Sequence, residues 1–103
     1  VSVCHTKTQN LGDITQNADI LIVAAGSAGL IKADMVKDGA VVIDIGQTNI
    51  DGKLYGDVDF ENVSKKASYI TNAVGGVGPM TVAMLMTNLV DCAEHELNAR
   101  NAR

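Results

Sequence analysis

The sequence predicts an α/β chain built on a doubly wound parallel sheet, and three observations carry that prediction. Four short runs rich in Val, Ile and Ala, at 1–4, 19–25, 40–45 and 68–71, have the texture of strands buried on both faces. Helical or polar segments separate them, the alternation that a parallel sheet with crossover connections requires. Loops follow the strands at 4–8, 24–29, 44–49 and 71–79, three of them glycine-bearing, and such sheets place their ligands outside the carboxyl ends of the strands.

Taken in order, Val1 to Cys4 is an apolar, β-branched run with no turn or cap ahead of it, from which a segment of a longer protein is expected. Asn10 followed by Asp13 resembles an N-cap with an acid in the first turn, opening a helix that runs to about Asn17. After the second run, Ile31 to Val36 reads as a short helical turn stopped by Gly39. The third run leads to NIDGKLYG, residues 49–56, whose Asp-Gly pair between apolar residues is a hairpin signal. Asp59 to Ala67 is another short helix, and 68–71 the last strand. The final helix is expected from Pro79, as its first residue, to about Ala99. Val82, Leu85, Met86, Leu89, Ala93 and Leu97 share one apolar face of it, and Met80, Met84 and Met86 are assigned to packing.

With 103 residues, 47% of them hydrophobic and 19% charged, one core is all the chain can hold. A net charge of -4 and the absence of a Lys/Arg cluster argue against nucleic acid or an anionic membrane surface as a partner. The apolar runs are too short to span a bilayer and no signal peptide precedes them, so a soluble, cytoplasmic protein is expected. Cys4 and Cys92 lack metal-type spacing and are expected to be buried thiols; no metal-ligand cluster is apparent.

The loop His5-Thr6-Lys7-Thr8 has no acid before Asp13. If the first run is the second strand of a dinucleotide fold, hydroxyl and basic groups there favour the 2′-phosphate of NADP, whereas an acid would favour NAD. The plainer reading, polar residues leaving a strand, stays open. Asp44, at a strand end, is expected to bond nearby backbone amides rather than act in catalysis. His5 is expected to serve hydrogen bonding or packing, and His95 to lie on the surface.

The ordered set CHTKT, ADILIVAAG, VVIDIG, GDVDF and above all GGVGPMTVAMLM resembles the C-terminal part of the cofactor domain in the bifunctional methylenetetrahydrofolate dehydrogenase/methenyltetrahydrofolate cyclohydrolase family. The likeness extends over nearly the whole chain, and the block Gly75 to Thr81 is its most specific part. It implies that 1–103 is the C-terminal portion of a Rossmann-like, NADP-binding domain, incomplete at its N-terminus. The folate-holding catalytic domain would lie outside this chain. The implied enzyme oxidises 5,10-methylenetetrahydrofolate by hydride transfer to the nicotinamide and hydrolyses the methenyl product to 10-formyltetrahydrofolate.

By the same likeness, Thr6 stands where the family has a hydroxyl residue at the adenosine 2′-phosphate. Gly26 lies in the loop passing the cofactor's central portion, and Gly46 with Gln47 beside the nicotinamide end. Gly75, Gly76, Val77, Gly78 and Pro79 match the loop that closes over the folate, where glycines keep side chains away from the pterin and nicotinamide rings. Related cofactor domains form homodimers, so a homodimer is implied. The family's Tyr-x-x-x-Lys arrangement is missing: four residues after Tyr55 stands Asp59, and four after Tyr69 stands Ala73. No catalytic residue is therefore assigned, and the segment alone is expected to be inactive.

The family's Gly-Arg-Ser turn is also absent. Ala28, Asp38, Asn72 and Val74 occupy positions where relatives usually carry proline, and Gln47-Thr48-Asn49 replaces the commoner Ile-Asn-Arg. Without proline's fixed φ, a more mobile rim is expected. The competing reading is a non-catalytic α/β interaction or dimerisation module, for which only the core need resemble the family.

Overall fold

A computed structural model describes all 103 residues, Val1–Arg103. Its centre is a parallel sheet of β1 (Ile20–Val23), β2 (Val41–Asp44) and β5 (Tyr69–Ile70), hydrogen-bonded in that order. Ile20 faces Val41, Val23 faces Asp44, and Val41 in turn faces Tyr69. The hairpin of β3 (Thr48–Ile50) and β4 (Lys53–Tyr55) stands apart as its own two-stranded sheet. Its turn has positive φ at both Asp51 (51°) and Gly52 (82°), the twist a tight two-residue hairpin needs.

Strand alternation decides which face packs. Val23 and Val42 point to one side and, with Ile31, Val36, Ala40, Val58 and Val63 from the crossovers, form the core. Leu11 of α1 (Leu11–Thr15) and Met35 of a 3₁₀ turn (Ala33–Met35) pack against it, and α2 (Phe60–Val63) contributes Val63. A parallel bridge between Ile31 and Val58 joins the two crossovers over this face. The other face is open: Ile20, Ile22 and Tyr69 are all more than half exposed. The expectation of strands buried on both faces holds for one face only, because no helix of this chain covers the second.

Three further expectations are corrected. Val1 to Cys4 pairs with no strand; the outer edge of β1 carries no partner, so the backbone groups of this run have no ladder to join. Asn10 occupies the N-cap of α1 but makes no side-chain cap bond; it serves through a left-handed backbone, φ 50°, and its carbonyl accepts from the Asp13 N–H. Helix α3 runs Val77–Asn101 with Gly76 as N-cap, so Pro79 is its third residue rather than its first. That position is still compatible with proline, since the first four N–H groups of a helix have no intrahelical acceptor.

No residue of α3 is buried. Met80, Met84, Met86, Leu85 and Leu89 are all exposed, against the expectation that they pack. The helix projects from the sheet, and no partner surface within the chain meets its apolar side chains. Cys92 is exposed for the same reason, and Cys4 is only partly buried because its segment is unpaired.

Candidate functional site

The carboxyl ends of β1 and β2 are held by two buried carboxylates. Asp44 closes β2 and turns inward, its Oδ1 accepting the N–H groups of Gly46 at 2.9 Å and Asp57 at 3.1 Å. Its Oδ2 accepts the Val58 N–H at 2.9 Å. The Thr71 hydroxyl oxygen accepts the Asp44 N–H at 2.8 Å and the hydroxyl reaches the Asp44 carbonyl at 3.3 Å, tying β2 to the end of β5. Three amide donors occupy this carboxylate, as expected of a strand-terminal acid.

Asp57, fully buried just after β4, is the second. Its Oδ2 accepts the N–H of Ala25 at 2.6 Å and of Gly26 at 2.8 Å, while Oδ1 has no partner. The two acids are crossed with two glycines. A Cβ at Gly46 would lie 2.1 Å from the Asp57 Cγ, and one at Gly56 would lie 2.1 Å from the Asp44 Oδ2. Only a bare backbone fits either place. Gly26 and Gly46, named from the sequence, are thereby brought together around one carboxylate.

Reading the sequence missed Asp57 and Gly56. The signal for them was the repeated pairing of an acid with a nearby glycine, Asp44 with Gly46 and Gly56 with Asp57, on either side of the hairpin.

The glycines of 75–78 differ in what requires them. Gly75 has φ 73°, a left-handed backbone, and a Cβ at Gly76 would stand 2.2 Å from the Asn72 carbonyl oxygen. Both are accounted for by the path of the chain itself. Gly78 has ordinary helical φ and nothing within 4 Å of its Cβ position. Beyond Pro79, which crowds the Cβ of any helical residue before it, nothing in the chain requires its bareness. Gly26 is similarly open to space, but its φ of 68° already favours glycine.

Gln47 donates from Nε2 to the Ala73 carbonyl at 2.8 Å, linking the loop after β2 to the loop before α3. This bond secures the carbonyl midway between Asn72 and Val74, where the sequence lacks proline. Thr6 lies in a compact exposed turn: the His5 N–H donates to the Thr8 hydroxyl, the Thr8 N–H to the His5 carbonyl, and the Lys7 N–H to the His5 Nδ1. His5 thus serves hydrogen bonding, while Thr6 and Lys7 project outward. No hydrogen bond connects this turn to the loops bearing Gly26, Gly46 and Gly75, so the structure joins three of the four expected loops and leaves the first apart.

A separate groove of about 690 Å³ opens between the hairpin and 72–74, with Lys32, Lys53, Tyr55, Phe60 and Asn72 on its walls. It contains none of the nine residues named from the sequence. No three His, Cys, Asp or Glu side chains cluster to hold a metal ion, and no helix is long and apolar enough to cross a membrane.

Comparison with known proteins bears on this arrangement. Residues 1–97 match the model of the tetrahydrofolate dehydrogenase/cyclohydrolase NAD(P)-binding domain. The bifunctional protein FolD of Lactobacillus helveticus is 61% identical over 90 residues, 87% of this chain and 32% of that protein. The crystal structure of the bifunctional methylenetetrahydrofolate dehydrogenase/cyclohydrolase FolD of Campylobacter jejuni superposes with a TM-score of 0.87 at 56% identity, over 93% of this chain and 34% of the other. The Trypanosoma brucei dehydrogenase-cyclohydrolase, solved with NADP cofactor and an inhibitor, gives a TM-score of 0.83 at 40% identity, over 94% of this chain and 36% of the other. The chain therefore spans about a third of the length of the relatives it matches.

Proposed function

Since the chain belongs to the tetrahydrofolate dehydrogenase/cyclohydrolase family, matching its NAD(P)-binding domain over residues 1–97, we propose that it is the NADP-binding portion of a bifunctional one-carbon enzyme. That enzyme oxidises 5,10-methylenetetrahydrofolate and hydrolyses the methenyl product. The bound nicotinamide would accept the hydride; this chain's part is to hold the cofactor and wall one side of the folate site.

The single observation that carries the reading is the meeting of Gly26 and Gly46, from the ends of adjacent parallel strands, on one buried carboxylate. A bare rim at the carboxyl edge of a parallel sheet is where dinucleotides lie. Gly26 and Gly46 with Gln47 line the cofactor path, and Thr6 with Lys7 meets the 2′-phosphate. Gly75 to Pro79 faces the folate, and the open space beside Gly78 supports a ligand approaching there. The chemistry of proton transfer is assigned to residues of the folate-binding part of the enzyme. The exposed apolar length of α3 favours, in addition, a contact with another protein surface, in a cytoplasmic homodimer formed through this domain.

Calorimetric titration of the full-length protein with NADP and with NAD tests the reading. NADP is expected to bind more tightly, and Lys7→Ala to remove about tenfold of its affinity, one charge-assisted contact, while leaving NAD unchanged. Equal affinity for the two dinucleotides would overturn the 2′-phosphate assignment, and binding of neither would favour the interaction module.

A further inference from the structure

Glycine-rich loops that hold phosphate do so with successive amides curved into a concave nest. Ala25 and Gly26 make such a nest, with Gly26 at φ 68°, and it is already filled: the Asp57 Oδ2 sits 2.6 and 2.8 Å from the two nitrogens. The carboxylate that fills it is fully buried and its other oxygen has no partner. It also abuts Gly46, where a Cβ would reach 2.1 Å from its Cγ. Its own N–H is fixed by the Asp44 Oδ1, which holds Gly46 as well. One side chain therefore sets both the curvature of the loop after β1 and its distance from the loop after β2.

We propose that Asp57 is a positioning residue for the dinucleotide: its carboxylate preforms the Ala25–Gly26 loop and fixes its spacing from Gly46. The cofactor then meets a rigid glycine rim whose amides are already satisfied. The identity of the ligand rests on the function proposed above; the preforming of the loop does not. An internal anion in the nest also means that the loop's two amides are closed to a ligand phosphate, so contact with the cofactor here is by close approach of the backbone and not by amide donation.

The test uses the full-length protein with Asp57→Asn, which keeps one acceptor oxygen but removes the charge, and Asp57→Ala, which removes both. Amide hydrogen exchange at Ala25 and Gly26 is expected to quicken about tenfold in Asp57→Asn, the difference between a charge-assisted and a neutral bond, and further in Asp57→Ala. In steady-state kinetics the KM for NADP is expected to rise in the same order, with kcat at saturating NADP and the KM for the folate holding. Wild-type exchange rates at both amides in Asp57→Asn would overturn the inference. So would a fall in kcat together with a rise in both KM values, which marks a merely structural residue. Should Asp57→Ala fail to fold, Asp57→Asn decides alone. Failure of the wild-type protein to bind NADP overturns the cofactor reading, while the exchange rates still decide whether Asp57 preforms the loop.

Discussion

Gly46, Gly56 and Gly78 look alike in the sequence and differ in what a methyl group would do at each. At Gly46 and Gly56 a Cβ would stand 2.1 Å from a buried carboxylate atom. Alanine at either position is expected to destabilise the fold by at least about 2 kcal/mol, seen as a lower midpoint in urea. Gly78→Ala meets no atom within 4 Å beyond its chain neighbours and its own helix, and the small gain from removing a first-turn glycine is offset by crowding of the new Cβ against Pro79, so stability is expected to change by less than about 0.5 kcal/mol. If folate approaches the backbone there, the same variant weakens folate binding with stability little changed. Unchanged folate KM in Gly78→Ala would remove the external cause proposed for that glycine. Asp44→Ala strands three amide donors and is expected to cost about 3 kcal/mol or more, with Asp44→Asn milder because one acceptor oxygen remains.

The order of β1, the crossover, β2, the hairpin, α2 and β5 was legible in the sequence because each is set by local chemistry. The β-branched runs, the Asp-Gly turn and Gly39 say what they are within a few residues. The run at 1–4 was not legible as unpaired, since a strand needs a neighbour and a neighbour is not a local property. The buried face of α3 failed likewise: spacing identifies an apolar helix but not what covers it. Of the candidate site, Gly26, Gly46 and the glycines of 75–78 stand out in the local sequence, while Asp57 does not. Its partners Ala25 and Gly26 lie 32 and 31 residues away and only the fold brings them to it.

One element contact carries a pH dependence. Asp19, at the entry to β1, accepts from Lys37 Nζ at 2.6 Å, and that hydrogen bond, then the ammonium charge, lowers its pKa below the ordinary 3.8. A lowered folded-state value adds stability that is present above pH 3.8 and is lost as pH falls through the folded value. Both side chains are exposed, so the contribution is small and screened by salt. An NMR titration is expected to place the Asp19 midpoint below 3.8 at low salt and to move it upward in high salt; a midpoint at or above 3.8 would refute the pair.

Only 12 of the 103 residues are buried, and the apolar surface left over is concentrated on the open sheet face and along α3. Exposed apolar surface of that extent suits the protein contact proposed above. Because α3 shares none of the core, Leu85→Lys with Leu89→Lys is expected to reduce self-association in sedimentation while leaving the melting temperature unchanged at a dilution where the wild-type chain is dissociated. A loss of melting temperature would show that the helix packs on the sheet after all. The longest dimension of the molecule, 56 Å, reflects the projection of this helix. Its 25 residues form a rod of about 37 Å rooted at Gly75 and Gly76, the backbone that borders the proposed folate wall. A rod so rooted is a lever: a turn of about ten degrees at its base displaces the far end by about 6 Å. Any turn of the helix at its glycine root is thereby magnified at Arg100, at the opposite end of the molecule's longest arm.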